Sequence, residues 1–451
     1  MDARMNRRGL LRGLGAVSGA VLVSGAVARA QQVGGATPAP APAASSNAGE
    51  KKPWYELGFL DDPVLENQLL HYLAAVYSAQ ADVGEVLDTG RRVDAADKYS
   101  WPREWVATAD RVRGMGDASL ARGRRISAGH AFLRAANYYR AALIHHPEPN
   151  DPEVVTIGRH AVKTYDQAIA LLEFPVQPVR IPYEDTTLPG YFWRSPRARG
   201  NAPILIFFQG RDAWPEESKY LIDGALERGY HALIFHGPGQ GMAIREQGLP
   251  FRADWERVVS PVIDYALRIP GVDAKRIIVM GSSMGGSLAP RAAAFDSRIY
   301  ICIANPGVLS WNAAMLTQFE QLFPEALALL DTDPAAFDAT MYELMKGVPL
   351  YDWYMRDAMH KHGAETPSQL LHELSAFDST AIACKIRCRT LVMDGTEEAY
   401  SVGQAKQLYD ALTCPKEYML FDATDTGLLH CQEGAQAVAN HRMFDWVDGQ
   451  L

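Results

Sequence analysis

Residues 277–295 read Ile277-Ile278-Val279-Met280-Gly281-Ser282-Ser283-Met284-Gly285-Gly286-Ser287-Leu288-Ala289-Pro290-Arg291-Ala292-Ala293-Ala294-Phe295. A short apolar run, a Gly/Ser turn and a small-residue helical stretch follow one another. A strand that turns sharply into a helix strains the backbone at the turn. Glycines on either side let neighbouring chain approach without a Cβ clash. Ser283 has glycine at both required offsets, Gly281 and Gly285, whereas Ser282 does not. It is the candidate nucleophile, exposed above a sheet, with a helix N-terminus favouring negative charge beside it. The competing reading, a Gly-rich turn with capping serines, lacks a reason for strand before and helix after.

Further apolar runs lie at Ile204 to Phe208, Ala232 to Phe235, Ile299 to Ile303, Thr390 to Met393 and Tyr418 to Phe421. Continuous runs of that length suit strands buried on both faces of a mostly parallel sheet, so the fold class is α/β, doubly wound. Val179 to Tyr183 and Gly190 to Trp193 read as a strand pair across a Thr186 to Pro189 turn. Residues 54–174 show helical periodicity, with Leu65, Leu69, Leu70, Leu73 and Val76 on one face, and form a helical N-terminal domain. Residues 175–451 form the catalytic domain. Its alternation breaks at 306–377, a helical, aromatic-rich stretch too long for a structureless loop and expected as a cap insertion over the strand ends.

A serine hydroxyl needs a base, and the base needs an orienting acid. After the Tyr418 to Phe421 strand, a loop delivers His430 before the last helix, which makes His430 the candidate base. Glu398, three residues past Gly395, is the favoured acid, with Asp394 and Glu397 as alternatives. The N–H groups of Met284 and Arg211 are placed to form an oxyanion hole. Asp212 beside them is either a catalytic carboxylate or a cap for the helix near Glu216. His145 and His146, far in sequence from the elbow, are assigned surface or interface roles.

The 451 residues, 48% hydrophobic and 22% charged, suit a globular enzyme. A net charge of −9 argues against binding phosphate backbones. The first residues, 1–30, carry Arg7-Arg8, an apolar run from Leu14 to Val27 and Ala28-Arg29-Ala30, the pattern of a twin-arginine export signal. A Pro/Ala/Gly/Ser linker, 31–53, follows. The expected location is the periplasm or outside the cell, with no membrane association once the signal is removed. The odd number of cysteines, five, and the spacing of Cys384 and Cys388 speak for inert buried thiols over disulfides or a metal site.

Gly237-Pro238-Gly239-Gln240-Gly241, Gly210-Arg211-Asp212 leading to Glu216-Glu217-Ser218, the Ser283 elbow, His430-Cys431 and the helical segment Phe132 to Pro149 together resemble a known family. It is that of the 2,6-dihydroxypseudooxynicotine hydrolases and fungal yellowish-green pigment hydrolases, within the α/β-hydrolase superfamily. The resemblance implies hydrolysis of a carbon–carbon bond beside a carbonyl in an aromatic or polyketide-like small molecule, with no metal or organic cofactor. It also implies a site between helical domain and hydrolase body, and a possible homodimer. The family's glutamate in the oxyanion loop matches Asp212, and its triad aspartate matches Glu398. The same residues suit an exported esterase or lactonase acting on an aryl ester or lactone, and the fold alone also admits a non-catalytic binding protein.

Overall fold

The structure, a computed structural model, describes residues 52–347 and 349–451. The expected export signal, and the linker as far as residue 51, lie outside them. Eight strands form one sheet: β1 Val176–Tyr183, β2 Thr186–Trp193, β3 Ala202–Phe208, β4 His231–Phe235, β5 Val272–Ser282, β6 Ile299–Asn305, β7 Arg389–Gly395 and β8 Lys416–Phe421. Their order is β1-β2-β4-β3-β5-β6-β7-β8. β2 runs antiparallel to β1 and β4, while neighbours from β4 to β8 are parallel. The doubly wound α/β class read from the apolar runs is therefore the class observed.

Strand side chains alternate between two cores, as a period of two requires. Ile204, Ile206, Phe208, Ile277 and Val279 face the helices Glu256–Ala266 and Gly285–Phe295. Leu205, Phe207, Ile278 and Met280 face the opposite side, where Lys219–Glu227, Gln436–Asp448 and the N-terminal helices Arg125–Ile144 and Pro152–Leu171 pack. Both faces being covered explains why these strands read as unbroken apolar runs. Pro290 sits inside the helix Gly285–Phe295, where it cannot donate to the carbonyl of Gly286. That oxygen instead accepts the N–H of Val308, at 3.3 Å.

Five helices precede the sheet between Pro63 and Leu171, and helices from Trp311 to Leu374 fill the interval between β6 and β7. Three local expectations are corrected. The first hairpin turns at Glu184-Asp185, with Tyr183 opposite Thr186, so Thr186 to Pro189 is strand. Glu184, at φ 46°, supplies the left-handed step of a two-residue turn. Val76 is exposed because the helix Pro63–Ala74 tightens into a 3-10 turn over Ala75–Ser78 and leaves the apolar face. The thiols are not uniformly buried: Cys302 and Cys414 are, but Cys384 is exposed.

A Cβ at Gly286 would collide with the carbonyl oxygen of Pro306, which is backbone and cannot swing aside. Gly286→Ala is expected to lower stability by about 1–3 kcal/mol, read as a lower urea midpoint at unchanged slope. An unmoved midpoint would show that the 305–307 segment yields.

Candidate active site

β5 ends where the chain must reverse into a helix, and Ser283 takes the turn at φ 58°, a left-handed backbone unusual for a residue with a Cβ. The turn is clamped by Ser283 N–H donating to Asn305 O at 2.7 Å and Gly286 N–H to Ser283 O at 2.7 Å. Gly210 lies so close that an added Cβ would stand 2.6 Å from Ser283 Cβ. This explains the need for glycine in both the elbow and the loop facing it.

His430 Nε2 lies 3.0 Å from Ser283 Oγ, and His430 Nδ1 lies 2.7 Å from Glu398 Oε2. The second oxygen of Glu398 accepts the N–H groups of Tyr400 and Ser401, at 2.8 and 3.0 Å. Burial works to raise the Glu398 pKa, but the charge and hydrogen bond of His430 and these N–H groups hold it below the ordinary glutamate value. Burial would likewise lower the His430 pKa, but the Cys431 sulfur and Glu398 raise it well above the usual histidine value. Asp394 turns away: its carboxylate accepts from Tyr418 Oη at 2.7 Å, and burial pushes it up to about 6. Glu397 is exposed. Of the three carboxylates considered, Glu398 is the one the fold brings to the histidine.

The oxyanion loop is fixed by Gln240, whose amide donates to Gly210 O at 3.0 Å. Among the described residues, the N–H groups of Met284 and Arg211 have no protein acceptor. Asp212 does not cap a helix. Its Oδ1 is held by Lys361 Nζ at 2.8 Å, from the helix Pro349–His362, while Arg140 donates to its backbone carbonyl. Burial opposes its ionisation, but Lys361 and Arg211 keep the carboxyl well below the usual aspartate range. His145 and His146 are buried rather than on the surface, and His145 meets Trp353, on the helix Pro349–His362, edge-on at 4.5 Å. Lys361, Arg140, Gln240 and Tyr400, whose ring packs 4.7 Å from that of His430, carried no sequence signal of their own. No group of three or more His, Cys, Asp or Glu side chains arranged to hold a metal occurs among the described residues.

Residues 188–440 match the model of the alpha/beta hydrolase family. The 20-hydroxy-prefusarin hydrolase of Gibberella moniliformis is 31% identical over 84% of this chain and 95% of its own. A hydrolase of Aspergillus aculeatus is 30% identical over 85% and 96%. Among solved structures, 2,6-dihydroxy-pseudo-oxynicotine hydrolase aligns with a TM-score of 0.60 at 20% identity, over 83% of this chain and 94% of that one.

An imidazole raised above 6.5 accepts a proton from Ser283 only once deprotonated, so reactivity rises as pH passes through that raised value. Labelling by a fluorophosphonate is expected to follow this limb and to vanish in Ser283→Ala. Glu398→Gln removes an anion, so the limb should move to lower pH and the plateau fall on the order of 10⁴-fold. An unmoved limb would dissociate Glu398 from the histidine, and wild type that takes no label would favour a binding protein.

Proposed function

Because the chain belongs to the alpha/beta hydrolase family, we propose that it is a serine hydrolase that cleaves a carbon–carbon bond beside a carbonyl through an acyl-enzyme. The continuous contact Glu398–His430–Ser283, at 2.7 and 3.0 Å, carries the reading. His430 takes the Ser283 proton as Oγ attacks a ketone carbon, and the tetrahedral oxyanion rests on the N–H groups of Met284 and Arg211. Collapse expels a carbanion stabilised as an enolate, which His430 protonates. Water, deprotonated by His430, then releases the acid. Asp212, kept ionised by Lys361 and Arg211, is a poor proton donor and instead ties the oxyanion loop to the cap.

The bond type is supported by the motif resemblance, and a substrate like that of the 20-hydroxy-prefusarin hydrolase by that relative's name. An esterase or lactonase would use the same residues, so the substrate decides. A panel of 1,3-diketones and acyl-phenols against matched aryl esters and lactones is expected to show carbon–carbon cleavage by wild type. Ser283→Ala should lose about 10⁴-fold or more on every substrate. Asp212→Asn should lower both sets alike. Its selective loss of the carbon–carbon set would make Asp212 the proton donor, and turnover of esters and lactones alone would make the protein an esterase.

Export is part of the same proposal, motivated by Arg7-Arg8 before the apolar run. Arg7→Lys with Arg8→Lys should leave the full-length chain in the cytoplasm. Undiminished appearance of the mature chain in the periplasm would overturn the twin-arginine assignment.

A further inference from the structure

Arg211 carries a second group besides its N–H. Its side chain is 8% exposed, and Nε is buried with no hydrogen-bond partner among the described residues. The Asp212 carboxylate is 3.7 Å from Nε, but the same oxygen is held by Lys361 at 2.8 Å. Lys361, itself 4% exposed, takes Asp357 as well, at 2.6 Å. Two carboxylates thus converge on one lysine, and the neighbouring guanidinium is left short of an acceptor. It sits 4.1 Å from the centroid of the Tyr354 ring, on the helix Pro349–His362, a contact that positions the cation and leaves Nε without an acceptor. The nearby His362 is buried with both ring nitrogens unpartnered, and burial, with the charges of Arg211 and Lys361, lowers its pKa to about 3, so it stays neutral. A desolvated guanidinium with an unpaired Nε–H is a site for an oxygen that bears or develops negative charge.

We propose that the Arg211 guanidinium binds the second carbonyl oxygen of a 1,3-dicarbonyl substrate, the oxygen that becomes the enolate when the carbon–carbon bond breaks. This rests on the reading of the chain as a carbon–carbon hydrolase and names its substrate class. Ser283 Oγ bonds to C1 of the substrate and its proton passes to His430 Nε2. On collapse the C1–C2 bond breaks, and its electron pair spreads from C2 onto the C3 oxygen, facing Arg211. The His430 proton then goes to C2. Arg211 in this way serves both oxygens that gain charge, the one on C1 through its backbone N–H and the one on C3 through its side chain. The C3 contact strengthens as the bond breaks, so it accelerates the step instead of merely tightening binding. An ester has no C3 oxygen to take charge.

The test is the ratio of kcat/KM for 1-phenyl-1,3-butanedione to that for phenyl acetate, in wild type, Arg211→Met and Arg211→Lys. The ratio is expected to fall on the order of 10²-fold in Arg211→Met, with a smaller fall in Arg211→Lys, which keeps the charge but not the fork. In Arg211→Met the rate should also depend more steeply on the acidity of the leaving carbon across ring-substituted diketones. A ratio unchanged in a variant that unfolds at the wild-type midpoint overturns the role of Arg211 and leaves the hydrolase reading standing. Should Arg211→Met not fold, Arg211→Lys with an unchanged ratio and an unchanged acidity dependence does the same. Wild type that leaves the diketone intact while cleaving the ester overturns the carbon–carbon reading itself.

Discussion

The carbonyl oxygen of Asn305, at the end of β6, accepts the Ser283 N–H at 2.7 Å and the Cys431 thiol at 3.3 Å. One backbone atom therefore anchors both the elbow and the segment that carries the histidine. Each anchored segment is strained: Ser283 at φ 58°, Cys431 at 52° and Gln432 at 54°. Such conformations cost about 1–3 kcal/mol apiece and persist only where the surroundings over-determine them. Here the surroundings are two parallel strands in register, Ser282 opposite Asn305, in a sheet buried on both faces. The distance from Ser283 to His430 is thereby set by the sheet, not by flexible side chains, which is what a proton transfer between them demands.

A second set of contacts brings the N-terminal helices to the same place. Glu433, three residues past His430, pairs with His71 at 2.6 Å. His71 reaches Glu217 at 3.5 Å, and Glu217 meets Arg140 at 3.0 Å. Arg140 then donates to the carbonyl of Asp212, whose carboxylate ends on Lys361 of the cap. Burial alone would strip the proton from His71, but hydrogen bonds and charge from Glu217 and Glu433 raise its pKa to about 10, so the chain stays charged throughout the neutral range. Buried ion pairs of this kind contribute little net stability, because desolvation offsets their attraction. What they do fix is register: a helical domain that docked differently would leave Arg140 or Glu217 charged and unpaired, which costs far more.

How much of this could be read beforehand follows from the range of each interaction. The strands, the elbow, the histidine and the favoured acid were legible because each is specified by a few consecutive residues: an apolar run, glycines at fixed offsets, a loop after a strand. Turn chemistry was less legible. Nothing in Tyr183-Glu184-Asp185-Thr186 outranked Thr186 to Pro189 as a turn, since a non-glycine residue at positive φ leaves little trace in sequence. The surroundings of Asp212 were not legible at all. Lys361 is 149 residues away, and Arg140, on the helix Arg125–Ile144, is 72 residues away. Of the two roles open to His145, surface or interface, the fold takes the second, because Trp353, far along the chain, packs edge-on against it where two sets of helices meet.

The two carboxylates that depart from the resembling family's pattern, a shorter one at 212 and a longer one at 398, are each matched by local geometry. Glu398 begins from a tight turn, its N–H donating to Gly395 O at 3.1 Å, and spends one oxygen on the N–H groups of Tyr400 and Ser401. The extra methylene lets the other oxygen still reach His430 at 2.7 Å. At 212 the partner does the reaching: Lys361 extends a long side chain from the cap, so an aspartate suffices, and its charge is met before it faces the oxyanion site. The same oxygen stands 3.7 Å from Arg211 Nε, close enough for charge attraction but not for a hydrogen bond. The shortening at 212 and the unpaired Nε of the guanidinium beside it are then one arrangement, in which the Asp212 hydrogen bond goes to Lys361 and Arg211 Nε keeps none.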